Sequence, residues 1–418
     1  MSFETQAQVG TLARRIHGWS WQAFPIGMGT GAVYVTLSAI KGHSSAFTII
    51  ETVLFFVNMT LFLLNTTTLA LQAVLYPQQA WRLIKDPVKG LFVPLIVLSF
   101  ATIIIGTINY AFPKHVGINF LYVLFWIYVG FAVITCFPML MIWFNEPHDL
   151  NKFTPAYAFL VFPLMLVGVV SFNVLRIMDP ADTRTIGVLI TGYVFQGIPI
   201  FSFGRQLLTI IYRSWTGFLD GHQANGAFVA CGPPGFTALA LINLGARARE
   251  ILDIHGLVTP QAGEIWYAAS VMSALMLYGL AVFLFLFGAI PYWFKLHKHL
   301  NEILGCWALT FPNVGWINTT RALGDLLNVR GLKLIHIVLT IAMAITWCTL
   351  IVLTALAFWK GLIFLSREED VLQDKILSRR SSFEEKRQVP DSARESCQSV
   401  VLSTQNNSST EIYNHRMV

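Results

Sequence analysis

Ten apolar runs follow one another along this chain, at 21–40, 47–75, 91–112, 118–144, 155–177, 185–212, 226–246, 264–293, 303–327 and 332–363. Runs of roughly 20 residues match the thickness of a bilayer when helical. In hydrocarbon every backbone N–H and C=O needs an internal partner, which leaves the α-helix as the available conformation. Composition points the same way: 55% of residues are hydrophobic, 12% are charged, and mean hydropathy is +0.61. The sequence therefore predicts an all-α integral membrane protein with ten transmembrane helices over residues 21–363. A short segment, 1–20, precedes them. From 366 to 418 the chain turns charged and rich in Ser, Asn and Gln, which predicts a disordered tail.

The odd-numbered runs share a second feature. Each carries a proline in its first half: Pro25, Pro94, Pro163, the pair Pro233 and Pro234, and Pro312. Counted from Pro25 through Pro234 to Pro312, the intervals are 69, 69, 71 and 78 residues. This reads as five tandem units of two helices each, five helical hairpins with proline on the first helix. Proline removes a backbone donor and clashes with the preceding turn, and inside a membrane the freed groups must face protein or a water-filled path. Five kinked helices around a central pore, with the even-numbered helices outside, is the expected arrangement. Proline's general frequency in transmembrane helices is the plainer alternative, and Pro138, Pro199 and Pro291 on even runs belong to it. Gly232 and Gly235 bracket the proline pair and predict an unwound turn where backbone approaches the path.

Several function classes are excluded. The five cysteines are single, with neither metal-ligand spacing nor a disulfide framework, and no cofactor is expected. Residues 1–20 lack the apolar core of a cleaved signal peptide. No nucleophile, base and orienter recur together, and no phosphate-binding loop is present, so neither an enzyme nor an ATP-driven pump is expected. The net charge of +6 is spread over loops, which suits a lipid bilayer rather than nucleic acid. With both termini cytoplasmic, the inside segments hold nine Lys and Arg residues before the tail (Arg14 and Arg15 through Lys298) and the outside loops seven. The tail stretch "SRRSSFEE", with Ser381 and Ser382, is either a kinase site or a solvated charge run. Asn406 and Asn407 head glycosylation sequons that would count only outside the cell.

The motifs "GPPGFTALAL" (232–241), "LTFPNVGW" (309–316), "MGTG" (28–31) and "KDPVKGLFVP" (85–94) resemble those of the tellurite-resistance and dicarboxylate transporter family, and within it the fungal malic acid transport proteins. The resemblance covers residues 15–365. It implies five hairpins around a pore, a homotrimer with one pore per protomer, a plasma-membrane location, and transport of C4-dicarboxylates: malate, succinate or fumarate, with protons as a candidate coupling ion. Relatives that are plant anion channels and sulfite efflux pumps make a small inorganic anion the alternative substrate. The resemblance also implies a gate at the phenylalanine of the ninth run's "FP" motif, Phe311; packing at the kink is the alternative. One departure concerns substrate choice: many malate carriers have an Arg-Pro pair before the seventh helix, where this chain reads "HQANGAF" (222–228).

Charges inside membrane runs are functional candidates because they are costly there. Arg176 and Arg247 each lie 13 residues after their unit's proline and Arg321 nine after Pro312, about 20 Å and 14 Å along a helix axis. Arg offers a planar fork that grips carboxylate and does not deprotonate; snorkelling at a helix end is the alternative for Arg176 and Arg247. Asn318, two turns beyond Phe311, is the expected partner of the gate. Asn173 and Thr237 complete the expected anion-binding set, and Thr30, Ser99, Thr102, Asn109, Asn243, Asn313 and Thr319 are further polar candidates on the inner helices. Glu51 is almost the only deep carboxylate, and Arg205 reads as structural.

Overall fold

A computed structural model describes residues 9–145 except 41 and 43, then 155–198, 204, 217, 228–294 and 302–376. Its helices are α1 (Thr11–Gly18), α2 (Phe24–Ser38), α3 (Ser45–Leu75), α4 (Pro77–Lys85), α5 (Leu95–Tyr110), α6 (Ile118–Asn145), α7 (Phe162–Leu175), α8 (Arg184–Gln196), α9 (Gly232–Ile254), α10 (Ala262–Phe294), α11 (Val314–Leu326) and α12 (Arg330–Trp359). No strand occurs among the described residues. Six segments are long and apolar enough to cross a membrane: Ser45–Leu75, Gly90–Tyr110, Ile118–Asn145, Phe228–Ile254, Ala262–Ala289 and Arg330–Trp359. Much of the sixth run, together with Lys152, Arg205, Arg213, Lys295, Lys298 and the 222–227 stretch, lies outside the described residues.

Two populations of helix separate by burial. The apolar window is 78% buried in Gly90–Tyr110 and 89% in Phe228–Ile254, against 28% or less in the other four. Helices α2, α5, α7, α9 and α11 pack in a closed cycle, each against the next and α11 back against α2. Helices α3, α6, α10 and α12 turn Phe56, Phe131, Met276, Ile341 and many similar side chains outward. Exposed apolar surface on that scale has lipid as its natural solvent.

The polar side of α3 faces inward. Its buried set includes Glu51, Asn58, Asn65 and Gln72, seven residues apart and hence on one face after two turns. Asn58 Nδ2 donates to Thr102 Oγ1 (2.8 Å) and to the Tyr34 hydroxyl (3.0 Å). Asn65 Nδ2 donates to the Ala23 carbonyl ahead of Pro25 (3.2 Å), and Gln72 Nε2 reaches the carbonyls of Ile16, His17 and Trp19. Tyr110 donates its hydroxyl to Glu51 at 3.2 Å. Similar bonds tie α6 and α8 to α7: the Tyr128 hydroxyl donates to the Pro163 carbonyl (2.7 Å) and Gln196 Nε2 to the Met165 carbonyl (2.8 Å). In a bilayer such contacts join helices that have no hydrophobic drive to associate.

The repeat prolines begin helices rather than bend their interiors. Pro25 and Pro163 are the second residues of α2 and α7, Pro233 and Pro234 the second and third of α9, and Pro94 caps α5. Pro312 sits in a 3-10 turn, Phe311–Asn313, that runs into α11. A first-turn N–H has no intrahelical partner in any case, so proline costs nothing there. The expected unwound turn at Gly232 and Gly235 is absent: α9 is continuous from Gly232. These glycines admit neighbours instead. A Cβ on Gly235 would stand 2.6 Å from the Trp316 nitrogen, one on Gly315 would collide with the Phe236 nitrogen, and one on Gly232 would stand 2.9 Å from the Phe162 ring. Helices α9 and α11 thus touch backbone to backbone.

The first part of the stretch expected to be disordered, residues 366–376, is ordered. Residues 368–376 are helical and dock on α1 and α4. The buried Asp374 carboxylate lies 3.0 Å from His17 Nε2 and 3.0 Å from an Arg82 guanidinium nitrogen. Ser366 N donates to the Arg14 carbonyl (3.2 Å), Arg14 Nε donates back to the Ser366 carbonyl (3.0 Å), and a Cβ on Gly18 would fall 2.6 Å from Ser366 N. Charge run though it is, this part of the tail is held by a carboxylate buried between two bases. Ser381, Ser382 and the sequons lie outside the described residues.

Two expectations follow. Gly315→Ala should lower the melting temperature of the detergent-solubilised protein, by about 1–3 kcal/mol of stability; Gly130→Ala, where a Cβ meets nothing within 4 Å, should not. Equal melting temperatures would show that α9 and α11 can separate freely. Asp374→Asn should make the 366–376 segment cleavable by protease at concentrations that spare the wild type, and unchanged protection would mean the docking does not depend on that charge.

Candidate anion cavity

The five inner helices enclose a cavity of about 390 Å³, and every one of them contributes to its wall. Most of that wall is apolar: Val35, Ile105, Leu166, Val169, Leu239 and Val314 are typical. Such a lining follows from helices buried all round, whose inward faces carry few polar side chains. Polar groups enter at chosen places, and these divide by height along the helices.

At the end where the helices begin stand Phe236 and Phe311. Both are buried, and their ring centroids are 5.2 Å apart at an interplanar angle of 31°. Each lies close to a repeat proline: Phe236 is two residues after Pro234, and Phe311 directly precedes Pro312. The close approach of α9 and α11 at Gly235 and Gly315 sets the two rings side by side. Sequence reasoning named Phe311 and passed over Phe236; its position in "GPPGF" was the available signal. Phe24 and Phe162 are buried as well but do not line the cavity.

At the opposite end lie Arg176 and Arg321. Arg176 caps α7 at its C-terminal end, is exposed, and donates from a terminal guanidinium nitrogen to Asn109 Oδ1 on α5 at 2.5 Å. No carboxylate is within ion-pair distance of it among the described residues, so its charge is uncompensated. Arg321 is more enclosed, with 13% side-chain exposure, and its Nε lies 3.2 Å from Asp325 Oδ2 one turn on; Lys333 Nζ lies 3.7 Å from the other oxygen. The set of two cations and one anion, with a third cation behind, keeps the rim positive.

Of the expected site residues, Arg176, Arg321, Asn173, Asn318 and Phe311 all line this one cavity, joined by Thr102, Asn109 and Asn243. Arg247 does not: it pairs with Glu250 at 2.7 Å, three residues along the same helix. An i, i+3 acidic neighbour on an exposed helix end supplies that partner locally. Thr237 is buried next to Phe236 but is not among the residues that line the cavity. Thr30 accepts from Trp347 Nε1, Asn313 accepts from Trp316 Nε1, and Thr319 donates to the Gly235 and Gly315 carbonyls, so these three bond between or within helices. Ser99 also lies off the wall. Asn173 donates to the Val169 carbonyl (2.8 Å) while lining the cavity. Two further residues escaped sequence reasoning: Asp325 on the rim, and His336, fully buried on α12 with its Nε2 3.4 Å from Asn318 Oδ1.

A cavity of this kind, apolar in its middle, cationic at one end and bordered by two aromatic rings at the other, suits a small anion that sheds its water on entry. Comparison with known proteins agrees. Residues 18–355 match the family model described as SLAC1, voltage-dependent anion channel. The chain is similar to a Schizosaccharomyces pombe protein named for malic acid transport, 25% identical over 370 residues, covering 86% of this chain and 84% of that one. The malic acid transport protein of the same organism is 24% identical over 366 residues, covering 86% and 83%. The sulfite efflux pump SSU1 of Arthroderma otae is 24% identical over 374 residues, covering 84% and 96%. These are proteins of transport, not catalysis. The match over 18–355 also agrees with the motif resemblance drawn over 15–365, and on it the chain is a multi-pass, all-helical membrane protein that belongs to the SLAC1 voltage-dependent anion channel family.

Proposed function

We propose that this protein carries C4-dicarboxylates across the plasma membrane, malate foremost and succinate or fumarate with it, through the cavity between the five inner helices. The observation that carries the reading is Arg176: a guanidinium at the cavity rim, oriented by a neutral amide and left with its full charge for an anion. In this reading ten transmembrane helices form five hairpins around the pore, both termini are cytoplasmic, and three protomers assemble with one pore each. Arg176 receives the anion, and Arg321, already offset by Asp325, yields it onward. The wall volume falls within the range of small-molecule sites, about 300–1,000 Å³. Phe311 and Phe236 together form the gate, two flat rings that close an apolar constriction and part by rotation. The N-terminal end of α9, with its positive backbone dipole, opens at that gate and favours an anion on it. With no site for nucleotide hydrolysis, gradients drive the flux: the membrane potential alone expels anions at about 2.3 kcal/mol per charge per 100 mV, or protons accompany uptake.

The second reading is efflux of sulfite or another small inorganic anion. It is favoured by one observation, that Arg247 stands off the cavity. The rim then offers one uncompensated arginine rather than two spaced for two carboxylates, and similarity to a sulfite efflux pump covers 96% of that protein.

Labelled malate and sulfite flux into liposomes holding the purified protein, with voltage and pH gradient clamped separately, separates the two. The expected result is malate flux whose KM rises about tenfold in Arg176→Gln and whose rate increases in Phe311→Ala. Sulfite flux without malate flux would transfer the assignment to the second reading, and malate flux indifferent to both substitutions would remove these residues from the path.

A further inference from the structure

Asn318 and His336 link the cavity wall to the outer helix α12. The Asn318 amide nitrogen donates to the Val35 carbonyl of α2 at 3.4 Å, and its Oδ1 lies 3.4 Å from His336 Nε2. Both contacts are long, yet together they fix the amide's orientation. A backbone carbonyl can only accept, so the nitrogen end of the amide must face Val35. That turns Oδ1, an acceptor, toward the imidazole, and the facing ring nitrogen must then carry the proton. His336 is therefore the Nε2–H tautomer, with Nδ1 a bare acceptor. Nδ1 is buried and has no hydrogen-bond partner among the described residues, and the side chain as a whole is 0% exposed.

A buried acceptor left unmet carries a cost that a leucine at this position would avoid. The donor on the opposite side of the ring supplies the reason for keeping it. If the Asn318 amide were free to turn over, it could present Oδ1 to the cavity, and an anion would meet an acceptor. With Oδ1 held by His336 and one N–H by Val35, the group left for the cavity is the second N–H. The charged groups acting on His336 are Arg321 and Asp325 of α11; the residues that α2 brings to this part of the wall, Val35, Ser38 and Ala39, are uncharged.

We propose that His336 is a positioning residue for anion selection: its Nε2–H locks the Asn318 amide so that the cavity wall offers the passing anion a donor. The proposal rests on reading the cavity as an anion path. Its test uses the full-length protein in liposomes, with His336→Gln, which keeps an N–H donor, beside His336→Leu, which keeps volume without one. His336→Leu should raise the KM for the transported anion about fivefold with little change in maximal rate, and His336→Gln should restore it toward wild type. Equal KM values for all three, or a Gln variant as poor as the Leu variant, would overturn the lock.

A second measurement decides the donor role without transport. In ¹⁵N-histidine-labelled protein, the His336 signals, identified by their loss in His336→Gln, should show Nε2 protonated and Nδ1 unprotonated, and the Nε2 signal should move in Asn318→Leu. The Nδ1–H tautomer, a doubly protonated ring, or indifference to Asn318→Leu would overturn the proposal. Failure of wild-type protein to move either anion would instead remove the transport reading and leave the spectra to decide His336.

Discussion

Everything in this structure follows from having no water to satisfy polar groups inside the bilayer. The solution is visible in α3, whose buried face carries Glu51, Asn58, Asn65 and Gln72 while phenylalanines and leucines look outward. A soluble protein would arrange such a helix the other way round. Here the side-chain amides reach across to carbonyls and hydroxyls of the inner helices and of the segment before Pro25. The outer helices therefore serve as more than a sheath: they supply hydrogen bonds at the starts of proline-initiated helices, as Tyr128 does for Pro163 and Asn65 for Ala23, and Gln72 covers the carbonyl end of α1 at Ile16, His17 and Trp19.

That arrangement frees the inner helices to be apolar nearly all round and to pack closely. Glycine makes the closest contact possible where α9 crosses α11, and the backbones there stand too near for any side chain at Gly235 or Gly315. Because Phe236 follows Gly235 and Phe311 precedes Pro312, the same contact sets the two rings against each other. The helix seam and the ring pair are thus one feature: the glycines fix the interhelical distance, and the distance fixes the ring separation.

The all-helical, membrane-spanning character and the proline interval were legible in the sequence because each rests on a local rule, apolar length in one case and proline spacing in the other. The same rules did not reveal what the prolines do. Pro25, Pro163 and Pro233 look like kinks when each run is read as one uninterrupted helix, but the chain makes a 3-10 turn first and starts the α-helix at the proline. Site residues divided on a similar line. Arg176, Arg321, Asn173, Asn318 and Phe311 were legible because polarity in an apolar run, or a motif, marks them. Arg247 carried the same mark, and only its neighbour Glu250 shows where its charge is spent. Phe236 was hidden among 32 phenylalanines. His336 and Asp325 were hidden for another reason, since their partners lie on other helices or a turn away and no spacing in sequence announces them. Residues 366–376 were misread because composition reports average solvation, whereas Asp374 is held by two particular bases.

The two ends of the cavity bear different kinds of constraint. At the phenylalanine end the geometry is set by backbone contact, which is stiff and independent of pH and salt. At the arginine end it is set by charge: Arg176 leaning on Asn109, and Arg321 shared with Asp325 and, behind it, Lys333. In the proposed transport reading, an anion arriving at the rim competes with Asp325 for Arg321 and meets no such competitor at Arg176, so Arg176 would capture it and Arg321 hand it on. On that reading the path would hold its substrate loosely enough to release it, because the charge of Arg321 is already partly satisfied by Asp325. Tight binding would need Asp325 removed, and flux would fall as affinity rose.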